Sequence, residues 1–473
     1  MSENSKSKSR DARDRDAQDP ELSDDSLFQT HADQVYQDLL DRVGVQGLQP
    51  RLAPTRRVVE LLGDPQRAYP IVHITGTNGK TSTSRMIESL LRAHGLRTGL
   101  LTSPHLVRLN ERIVIDGEPI SNEALVNNWQ DIQPYVAMVD AELDAAEEPR
   151  LTFFEAFTAL AFASFADAPV DVAVIEVGMG GEWDSTNVGD GQVAVFTPIA
   201  LDHTKRLGST VAEIARTKAG IIKPAAAVVS AIQSADALAE LSRAAELTES
   251  TLAVQGAAFS LVTNTVAVGG QVITVKGLAG TYPELFLPLF GDHQAQNATV
   301  AIAAVESFLG GGTQPLAQDV VAEGLATATS PGRLEVIGVE PTVIIDAAHN
   351  PHGAKALAKA LGTYFTFDEI TIVLGILADK DARGIITALA PVAAHFQVTQ
   401  SSSERAVPAE DLEDLVRELT ESGVSHGFDT LEAAIEDARG WASEAPRRAV
   451  LITGSITMIG DALVLAEEQG WKR

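Results

Sequence analysis

The stretch Ile71-Val-His-Ile-Thr-Gly-Thr-Asn-Gly-Lys-Thr81 joins a short apolar run of strand type to a loop that contains two glycines and ends in a lysine. Gly76 and Gly79 allow the backbone to turn so that successive N–H groups face one anion, and Lys80 can reach the outer phosphates of a nucleotide. The hydroxyl of Thr81 offers a ligand for Mg²⁺, and a helix beginning near this residue would add the positive end of its dipole. The stretch therefore predicts a strand, a nucleotide phosphate site and a helix in succession.

The loop is shorter than the usual phosphate-binding loop. Only Thr77 and Asn78 separate its glycines, whereas the usual G-x-x-x-x-G-K-[ST] pattern has a longer spacer. The shortened form is compatible with a phosphate site and also with a turn of purely structural role. The rest of the chain has to decide between them.

Strand-like and helical segments alternate along the first part of the chain. Strand-like runs at 71–75, 170–177 and 193–199 alternate with helical stretches at 82–94, 153–166 and 210–219. Such alternation implies a parallel sheet with helices on both faces. Between roughly 250 and 290, short β-branched runs separated by Asn and Gly predict an antiparallel β-meander.

The alternation restarts after the turn-forming segment 330–333, with strand-like runs at 335–345, 370–375, 395–399 and 449–453. We therefore expect a first domain at 28–329, a linker at 330–333 and a smaller domain at 334–473. Residues 1–27 mix charges without apolar periodicity, which predicts a disordered tail. The predicted fold class is α/β: a P-loop-containing parallel-sheet ATPase domain with a small antiparallel β subregion, plus a smaller C-terminal Rossmann-like α/β domain.

Composition limits the function classes. The chain has 473 residues, 45% of them hydrophobic and none of them cysteine, which excludes disulfides, thiol nucleophiles and cysteine-based metal sites. No apolar run approaches the roughly 20 residues of a membrane span, and the N-terminus is too polar for a secretory signal, so we expect a cytoplasmic protein. A net charge of −28 disfavours nucleic acid and membranes as partners. An anionic substrate such as ATP then needs a locally positive pocket. We expect the protein to be a monomer.

Three polar residues follow predicted strands in the first part of the chain. Glu176 closes the run Val172-Ala-Val-Ile-Glu176, His203 follows the strand-like run 193–199, and Ser103 follows another apolar stretch at 96–101. Because the carboxyl ends of parallel strands form the ligand crevice, these residues are candidate ligands for Mg²⁺ or phosphate. Each also has an ordinary interpretation: a solvated strand end for Glu176, a loop residue for His203 and a turn for Ser103.

Lys218 lies at helical spacing from Val211, Ile214 and Ala215, which places it on the apolar stripe of a helix. Burial favours the neutral amine, and a neutral lysine amine can react with CO₂ to form a carbamate, in effect a long carboxylate near a metal. The alternative is a structural lysine whose ammonium group reaches solvent.

Four further residues suggest nucleotide contacts. Asp346 closes a strand of the second domain and His349 leads into a helix, in a spacing that matches no common zinc site and favours phosphate or a monovalent cation such as K⁺. Arg333, on the interdomain segment, is placed to clamp a phosphate. Asn297 precedes a regular helix, where it would contact a base edge or cap that helix.

Seven short motifs, in this order, resemble the folylpolyglutamate synthase/dihydrofolate synthase family, a branch of the Mur ligase superfamily. The resemblance covers about residues 30 to 470. The motifs are TGTNGKTS (75–82), SPHL (103–106), EVGMGG (176–181) with Asp184, Asp202-His203, KAGI (218–221), PGR (331–333) and DAAHNP (346–351).

The resemblance implies an ATP-dependent amide ligase that adds L-glutamate to dihydropteroate or to folates through an acyl phosphate and releases ADP and phosphate. It implies catalytic roles for Lys80, Glu176, His203 and Lys218. The Mg²⁺ ligands it implies are Thr81, Ser103, Glu176, His203 and carbamylated Lys218. The ATP contacts it implies are Gly76, Thr77, Asn78, Gly79, Lys80, Thr81, Asn297, Arg333, Asp346 and His349.

The folate branch is favoured over other Mur ligases, which place a substrate domain before the phosphate loop. Only 75 residues precede Gly76, and the first 27 have the composition of a tail. The segment 103–112 also resembles the pterin-side loop of the folate branch, which implies substrate contacts for Ser103, Pro104 and His105. A Mur-type ligase acting on a nucleotide-linked peptide and a nonenzymatic P-loop binding module remain the alternatives. The sequence leaves open whether dihydropteroate, folates or both are the acceptors.

Overall fold

The computed structural model describes residues 28–42, 50–403, 405–420 and 425–471. The tail predicted at 1–27 lies outside these residues. The described part of the chain forms three β-sheets with helices packed around them. None of its helices combines the length and apolar character that crossing a membrane requires.

The large sheet of the N-terminal region has the strand order β4-β3-β2-β5-β1-β6-β7-β8. All neighbouring strands from β2 to β8 in that order pair in parallel, whereas β3 and β4 form an antiparallel edge. Its strands are β1 (Ile71–Thr75), β2 (Thr98–Leu101), β3 (Ile113–Ile115), β4 (Glu118–Pro119), β5 (Val172–Glu176), β6 (Gly191–Phe196), β7 (Ala227–Ser230) and β8 (Thr251–Val254).

Helices cover both faces of this sheet, as the alternating sequence predicts. Alternate residues of β1 enter different cores: Val72 and Ile74 face one, and Ile71 faces the other. Every residue of β1 and β5 is buried, which is typical of central strands in a parallel sheet. The helices of this region are α1 (Gln29–Leu40), α2 (Ala53–Leu61), α3 (Lys80–Ala93), α4 (Asn122–Ala145), α5 (Phe153–Asp167), α6 (Thr204–Leu207), α7 (Val211–Ala219), α8 (Ala235–Leu247), α9 (Asp292–Gly310) and α10 (Gln318–Ala326).

The predicted antiparallel meander is present but begins later than expected. Its strands β9 (Ser260–Ala267), β10 (Gly270–Lys276) and β11 (Thr281–Leu287) form a separate three-stranded sheet in the order β11-β10-β9. The segment at 251–254 was wrongly included in it, because that strand pairs in parallel with β7 at the edge of the large sheet. Strand pairing is decided by contacts distant in sequence, which a local pattern does not contain.

A separate α/β domain follows at the C-terminal end, with the strand order β12-β13-β17-β14-β15-β16. The run predicted as one strand at 335–345 is an antiparallel hairpin, because Glu340 and Pro341 interrupt it between β12 and β13. The strands are β12 (Glu335–Val339), β13 (Thr342–Asp346), β14 (Glu369–Leu374), β15 (His395–Val398), β16 (Ser425–Gly427) and β17 (Arg448–Thr453), and the helices are α11 (Pro351–Tyr364), α12 (Ala382–Leu389), α13 (Ala409–Leu419), α14 (Leu431–Ser443) and α15 (Ile456–Glu468).

The predicted α/β fold class with a small antiparallel sheet and a C-terminal α/β domain is thus confirmed. The exact domain bounds at 28–329, 330–333 and 334–473 stay predictions. What matters for function is that the carboxyl ends of β1, β5 and β6 face residues of the C-terminal domain across one cavity.

Candidate active site

A cavity of about 430 Å³ lies between the large sheet and the C-terminal domain. Its volume is in the range of small-molecule sites. All but one of the residues singled out from the sequence line it. They are Gly76, Thr77, Asn78, Gly79, Lys80, Thr81, Ser103, Pro104, Glu176, His203, Lys218, Asn297, Arg333, Asp346 and His349.

The loop after β1 has a backbone that requires its two glycines. Gly76 has φ +154° and Gly79 has φ +87°, a conformation that residues with a Cβ rarely adopt. A Cβ on Gly76 would also lie 1.8 Å from the Thr197 hydroxyl oxygen, and a Cβ on Gly79 would lie 2.8 Å from the Asn297 side-chain oxygen. Helix α3 begins at Lys80, directly after this turn, so its N-terminal dipole end faces the cavity.

Two lysines share one backbone carbonyl of the loop. The Nζ of Lys80 donates to the oxygen of Gly76 at 3.2 Å, and the Nζ of Lys218 donates to the same oxygen at 2.8 Å. Burial lowers the pKa of both amines, and the charge of Lys80 lowers that of Lys218 further, to about 7. A substantial fraction of Lys218 is therefore neutral at physiological pH.

The position of Lys218 is fixed by the helix that carries it. Helix α7 begins with a capping box, in which the Thr210 hydroxyl accepts from the Glu213 N–H and the Glu213 carboxylate accepts from the Thr210 N–H. Ile214 and Ala215 on the same face are fully buried, as the helical spacing predicts. Lys218 is 4% exposed, so its amine stays in the protein interior next to the phosphate loop.

The carboxylate of Glu176, at the end of β5, accepts hydrogen bonds from two neighbouring segments. The Thr81 hydroxyl donates to both carboxylate oxygens, at 2.9 and 3.0 Å, and the N–H of Ser103 donates to one of them at 3.3 Å. Burial raises the pKa of Glu176, while the charge of Lys80 and these hydrogen bonds oppose that shift. The carboxylate thus lies directly beside the first turn of α3 and the Ser103 loop.

His203 begins the short helix α6 with a left-handed backbone, φ +49°. Its N–H donates to the carboxylate of the preceding residue, Asp202, at 2.8 Å. Burial, and next the charge of Lys380, lower the pKa of His203 to about 4. The imidazole is therefore neutral at pH 7, which is the form that binds metals.

The C-terminal domain contributes a second wall of the cavity. Asp346, at the end of β13, accepts from the N–H groups of Leu334 and Ala348, each at 2.9 Å. The Nδ1 of His349 lies 2.9 Å from the carbonyl oxygen of Ala347 and donates to it, which leaves Nε2 without a proton in the neutral ring. Burial, and then the charge of Lys380, lower the pKa of His349 to about 4.

The phosphate loop also touches this domain directly. The Nδ2 of Asn350, the N-cap residue of α11, donates to the Oδ1 of Asn78 at 2.9 Å. The Nδ2 of Asn78 lies 3.1 Å from the Nδ1 of His352. One loop residue thus links the phosphate site to the start of a helix in the other domain.

One sequence-based expectation needs revision. Asn297 was expected to precede a helix, but it lies in the second turn of α9, where its amide contacts Gln294 at 3.2 Å and cannot act as a cap. His105 does not line the cavity. Its Nδ1 accepts from the Nε of Arg112 at 2.8 Å, and its Nε2 lies 3.4 Å from the hydroxyl of Tyr36.

Comparison with known proteins decides the family. The family model described as the Mur ligase middle domain matches residues 74–305, and the Mur ligase, glutamate ligase domain matches residues 332–456. Dihydrofolate synthase/folylpolyglutamate synthase of Mycobacterium tuberculosis is 44% identical over 441 residues, which cover 88% of this chain and 90% of the relative. The chain belongs to the folylpolyglutamate synthase/dihydrofolate synthase family of Mur ligases. The predicted family membership is confirmed.

Other members of this family agree in sequence and fold. Folylpolyglutamate synthase of Lacticaseibacillus casei is 38% identical over 419 residues, covering 86% of this chain and 94% of the relative. The crystal structure of M. tuberculosis folylpolyglutamate synthase complexed with ADP and AMPPCP has a TM-score of 0.88 and 43% identity, and covers 94% of this chain and 99% of that chain. E. coli FolC in complex with DHPP and ADP has a TM-score of 0.81 and 28% identity, and covers 92% of this chain and 98% of that chain. This member of the family is a ligase that forms carbon–nitrogen bonds and binds ATP.

The cavity also contains residues that the sequence motifs did not indicate. Lys380, which follows the C-terminal strand β14, lines the cavity and pairs with Asp202 from the other domain at 3.0 Å. His293 and His352 also line it. Lys380 lies six residues beyond the end of β14, too far along the loop for the strand-end rule that identified Glu176 to single it out.

The chemistry of the donors suits Mg²⁺ held together with phosphate. Within the described residues, no group of three or more His, Cys, Asp or Glu side chains is placed to hold a metal. The oxygens available are the Glu176 carboxylate and the Thr81 hydroxyl, 2.9 Å apart, and both lie beside the phosphate loop. Such a hard, oxygen-rich and incomplete donor set fits Mg²⁺, which usually takes its remaining ligands from water and substrate phosphates.

Proposed function

We propose that this ligase adds L-glutamate to dihydropteroate and to folates, using ATP to convert the acceptor carboxylate into an acyl phosphate and releasing ADP and phosphate. The observation that carries the proposal is the convergence of the phosphate loop, two lysines, Glu176 and the polar wall of the C-terminal domain on one interdomain cavity. The names of the relatives, and the ligands bound in the structure of one of them, support the same reaction.

The residues of the phosphate loop would hold the nucleotide. Gly76 and Gly79 leave room for the phosphates to approach the backbone, and Lys80 supplies positive charge at their outer end. When the acceptor carboxylate attacks the γ-phosphorus, charge on the phosphoryl oxygens is stabilised by the amine of Lys80 and by the dipole of α3. The amine of glutamate then attacks the carbonyl carbon and displaces phosphate.

Mg²⁺ is expected to be held by Thr81, Ser103, Glu176, His203 and Lys218 as a carbamate, and it would neutralise phosphate charge in the transition state. Burial, and then the charge of Lys380, lower the pKa of His203 and so keep its imidazole neutral, which is the form that binds a metal. A monovalent cation such as K⁺ stays a prediction for the second-domain segment around Asp346 and His349.

The C-terminal domain is proposed to close the site. The cavity wall contributed by the C-terminal part of the chain includes Arg333, Asp346 and His349. The side chain of Asn297 lies next to Gly79 of the phosphate loop. Keeping water out of this cavity protects an acyl phosphate from hydrolysis. Ser103 and Pro104 border the same cavity. They and His105, the next residue in the chain, are proposed to contact the acceptor. We expect a cytoplasmic monomer.

Measurement of ADP release tests the reaction. The purified protein is given ATP and Mg²⁺ with dihydropteroate or with a reduced folate, each with and without glutamate, and products are identified by mass spectrometry. We expect ADP release that requires both the acceptor and glutamate, and a product heavier by one glutamyl residue. ATP hydrolysis that is unaffected by either substrate, or no product with both acceptors, would refute the proposal.

A further inference from the structure

Two arginines near the active site have carboxylates nearby, but their side chains are not hydrogen-bonded to any described residue. Arg85, one turn after Thr81 on α3, and Arg333, on the segment between the domains, each make neither a side-chain hydrogen bond nor an ion pair with any described residue. Both side chains are only partly exposed. A guanidinium group that is withdrawn from water with unsatisfied donors is costly, so such groups are commonly hydrogen-bonded to an anion.

Both arginines line a second, small cavity. It measures about 30 Å³ and adjoins the large one, because Thr81, Pro104, Arg333 and Ile456 border both. Arg85 and Glu111 belong to the small cavity alone. A space of this size holds a group of a few atoms, such as a carboxylate, and not a whole substrate.

The neighbouring carboxylates already have other donors. Glu111 accepts from the backbone N–H groups of Leu106, Val107 and Arg108 at 2.7 to 2.9 Å. Glu176 accepts from Thr81 and Ser103. Both carboxylates lie close enough to Arg85 to affect its pKa. Burial lowers the pKa of Arg85, and the charges of Glu176 and Glu111 oppose that shift. Neither is hydrogen-bonded to it, so the donors of the arginine are available.

We infer that Arg85 forms a carboxylate-binding subsite at the domain boundary, next to Arg333, that holds one acid group of a substrate beside the phosphate loop. Two substrates of the proposed reaction carry carboxylates: the incoming glutamate and the pteroate or folate acceptor. The inference rests on the proposed function for the identity of these acids. Arginine suits the role because its planar donors match the two oxygens of a carboxylate.

The test is the change Arg85→Gln, with Arg85→Lys and Arg92→Gln as companions. Arg92 lies two turns further along α3 and pairs with Glu88 away from both cavities. For each variant, KM is measured for ATP, glutamate, dihydropteroate and folate. We expect Arg85→Gln to raise KM for one of the acids by about 10- to 100-fold, the loss of a charged hydrogen bond, with KM for ATP within about twofold. Arg85→Lys should recover part of the loss, and Arg92→Gln should match the wild type.

The pattern of KM values identifies the bound group. A higher KM for glutamate, with reduced discrimination against its α-amide, assigns the subsite to the amino acid; a higher KM for dihydropteroate or folate assigns it to the acceptor. Unchanged KM values for all the acids, or a rise for ATP alone, would overturn the inference. Calorimetric titration of AMPPCP-loaded protein with each acid makes the same comparison without turnover, so it remains decisive if the proposed reaction itself is not observed. If Arg85→Gln does not fold, the KM values of Arg85→Lys, which keeps the charge, are compared with those of the wild type instead.

Discussion

The amine of Lys380 donates a hydrogen bond to the carboxylate of Asp202 at 3.0 Å, across the boundary between the two domains. Their side chains are 8% and 13% exposed. Burial opposes ionisation of Asp202, but the charges of His203 and Lys380 outweigh it and hold the pKa of this carboxyl at about 2. The Asp202 carboxyl is therefore ionised at neutral pH, and its hydrogen bond with Lys380 joins the loop that carries His203 to the C-terminal wall of the cavity.

Removing the cation of this pair should weaken the docking of the domains. Lys380→Ala leaves the Asp202 carboxylate withdrawn from water without its partner, a change that costs about 3 to 5 kcal/mol for buried pairs. We expect KM for ATP to rise at least about tenfold and the radius of gyration from small-angle X-ray scattering to increase. Glu418→Gln breaks an exposed pair with Arg383 in the same domain and should change neither quantity. An unchanged KM and radius in Lys380→Ala would show that the pair does not hold the domains together.

Lys80 and Glu176 should be indispensable for turnover and dispensable for folding. Lys80→Ala removes the charge expected at the outer phosphates, and Glu176→Ala removes the carboxylate to which Thr81 and Ser103 are hydrogen-bonded. We expect each variant to lose at least about 10³-fold in ADP release, with a circular dichroism spectrum like that of the wild type. Lys276→Ala, on an exposed position of β10, is the matched control. Near-normal rates in either site variant would contradict the assignment.

Carbamylation of Lys218 should depend on pH in a defined direction. Burial, and then the charge of Lys80, lower the pKa of this amine to about 7. Only the neutral amine reacts with CO₂, so carbamate should be scarce below pH 6 and increase as the pH rises through 7. The lowered pKa of Lys218 also affects stability. As the pH falls from the ordinary lysine pKa towards 7, the folded state becomes less stable, because Lys218 binds a proton more tightly in the unfolded chain than in the folded one.

The measurement is ¹³C NMR of protein equilibrated with labelled bicarbonate between pH 5.5 and 8.5. Lys218→Ala should lack the carbamate signal and the activity, and short carboxylates should restore part of the activity. A wild-type spectrum without a carbamate signal at pH 8.5 would show that Lys218 stays unmodified and acts as an amine.

The phosphate loop and the strand-end residues were predictable because their signals are local. A glycine pattern before a lysine fixes the turn between β1 and α3, and a parallel sheet places the carboxyl ends of β1, β5 and β6 on one edge. Lys218 was predictable for the same reason, since helical spacing alone puts it on the buried face of α7.

Contacts between distant segments were not predictable in this way. The pairing of Asp202 with Lys380 joins residues 178 positions apart, and no periodic pattern relates them. Asn297 was misplaced by a few residues because α9 already begins at Asp292, with Gly291 as its N-cap residue. The parallel pairing of β8 with β7 also depends on the path of α8 between them, and not on the composition of β8.

A second polar contact between the domains surrounds the hydroxyl of Tyr364, the last residue of α11. It lies 3.0 Å from the Oδ1 of Asp292, the first residue of α9, and 2.8 Å from the Oε1 of Gln271, and it accepts from the Nδ2 of Asn264 at 3.0 Å. Since a hydroxyl has one proton, it donates to only one of these two oxygens at a time. Asp292 precedes His293, which lines the cavity, so this contact supports the nucleotide side of the site.

Tyr364→Phe should loosen this contact without altering the reacting groups. The change leaves the amide of Asn264 and the oxygen of Gln271 each with one partner fewer, at a cost of about 1 to 2 kcal/mol. We expect faster amide hydrogen exchange at residues 290–297 and a KM for ATP raised severalfold, with kcat nearly constant because neither Lys80 nor Glu176 is affected. Tyr135→Phe, on an exposed position of α4, provides the control for loss of a tyrosine hydroxyl. If exchange at 290–297 is the same in Tyr364→Phe as in the wild type, the hydroxyl does not stabilise the start of α9, and docking there depends on the ion pair between Lys359 and Asp292 instead.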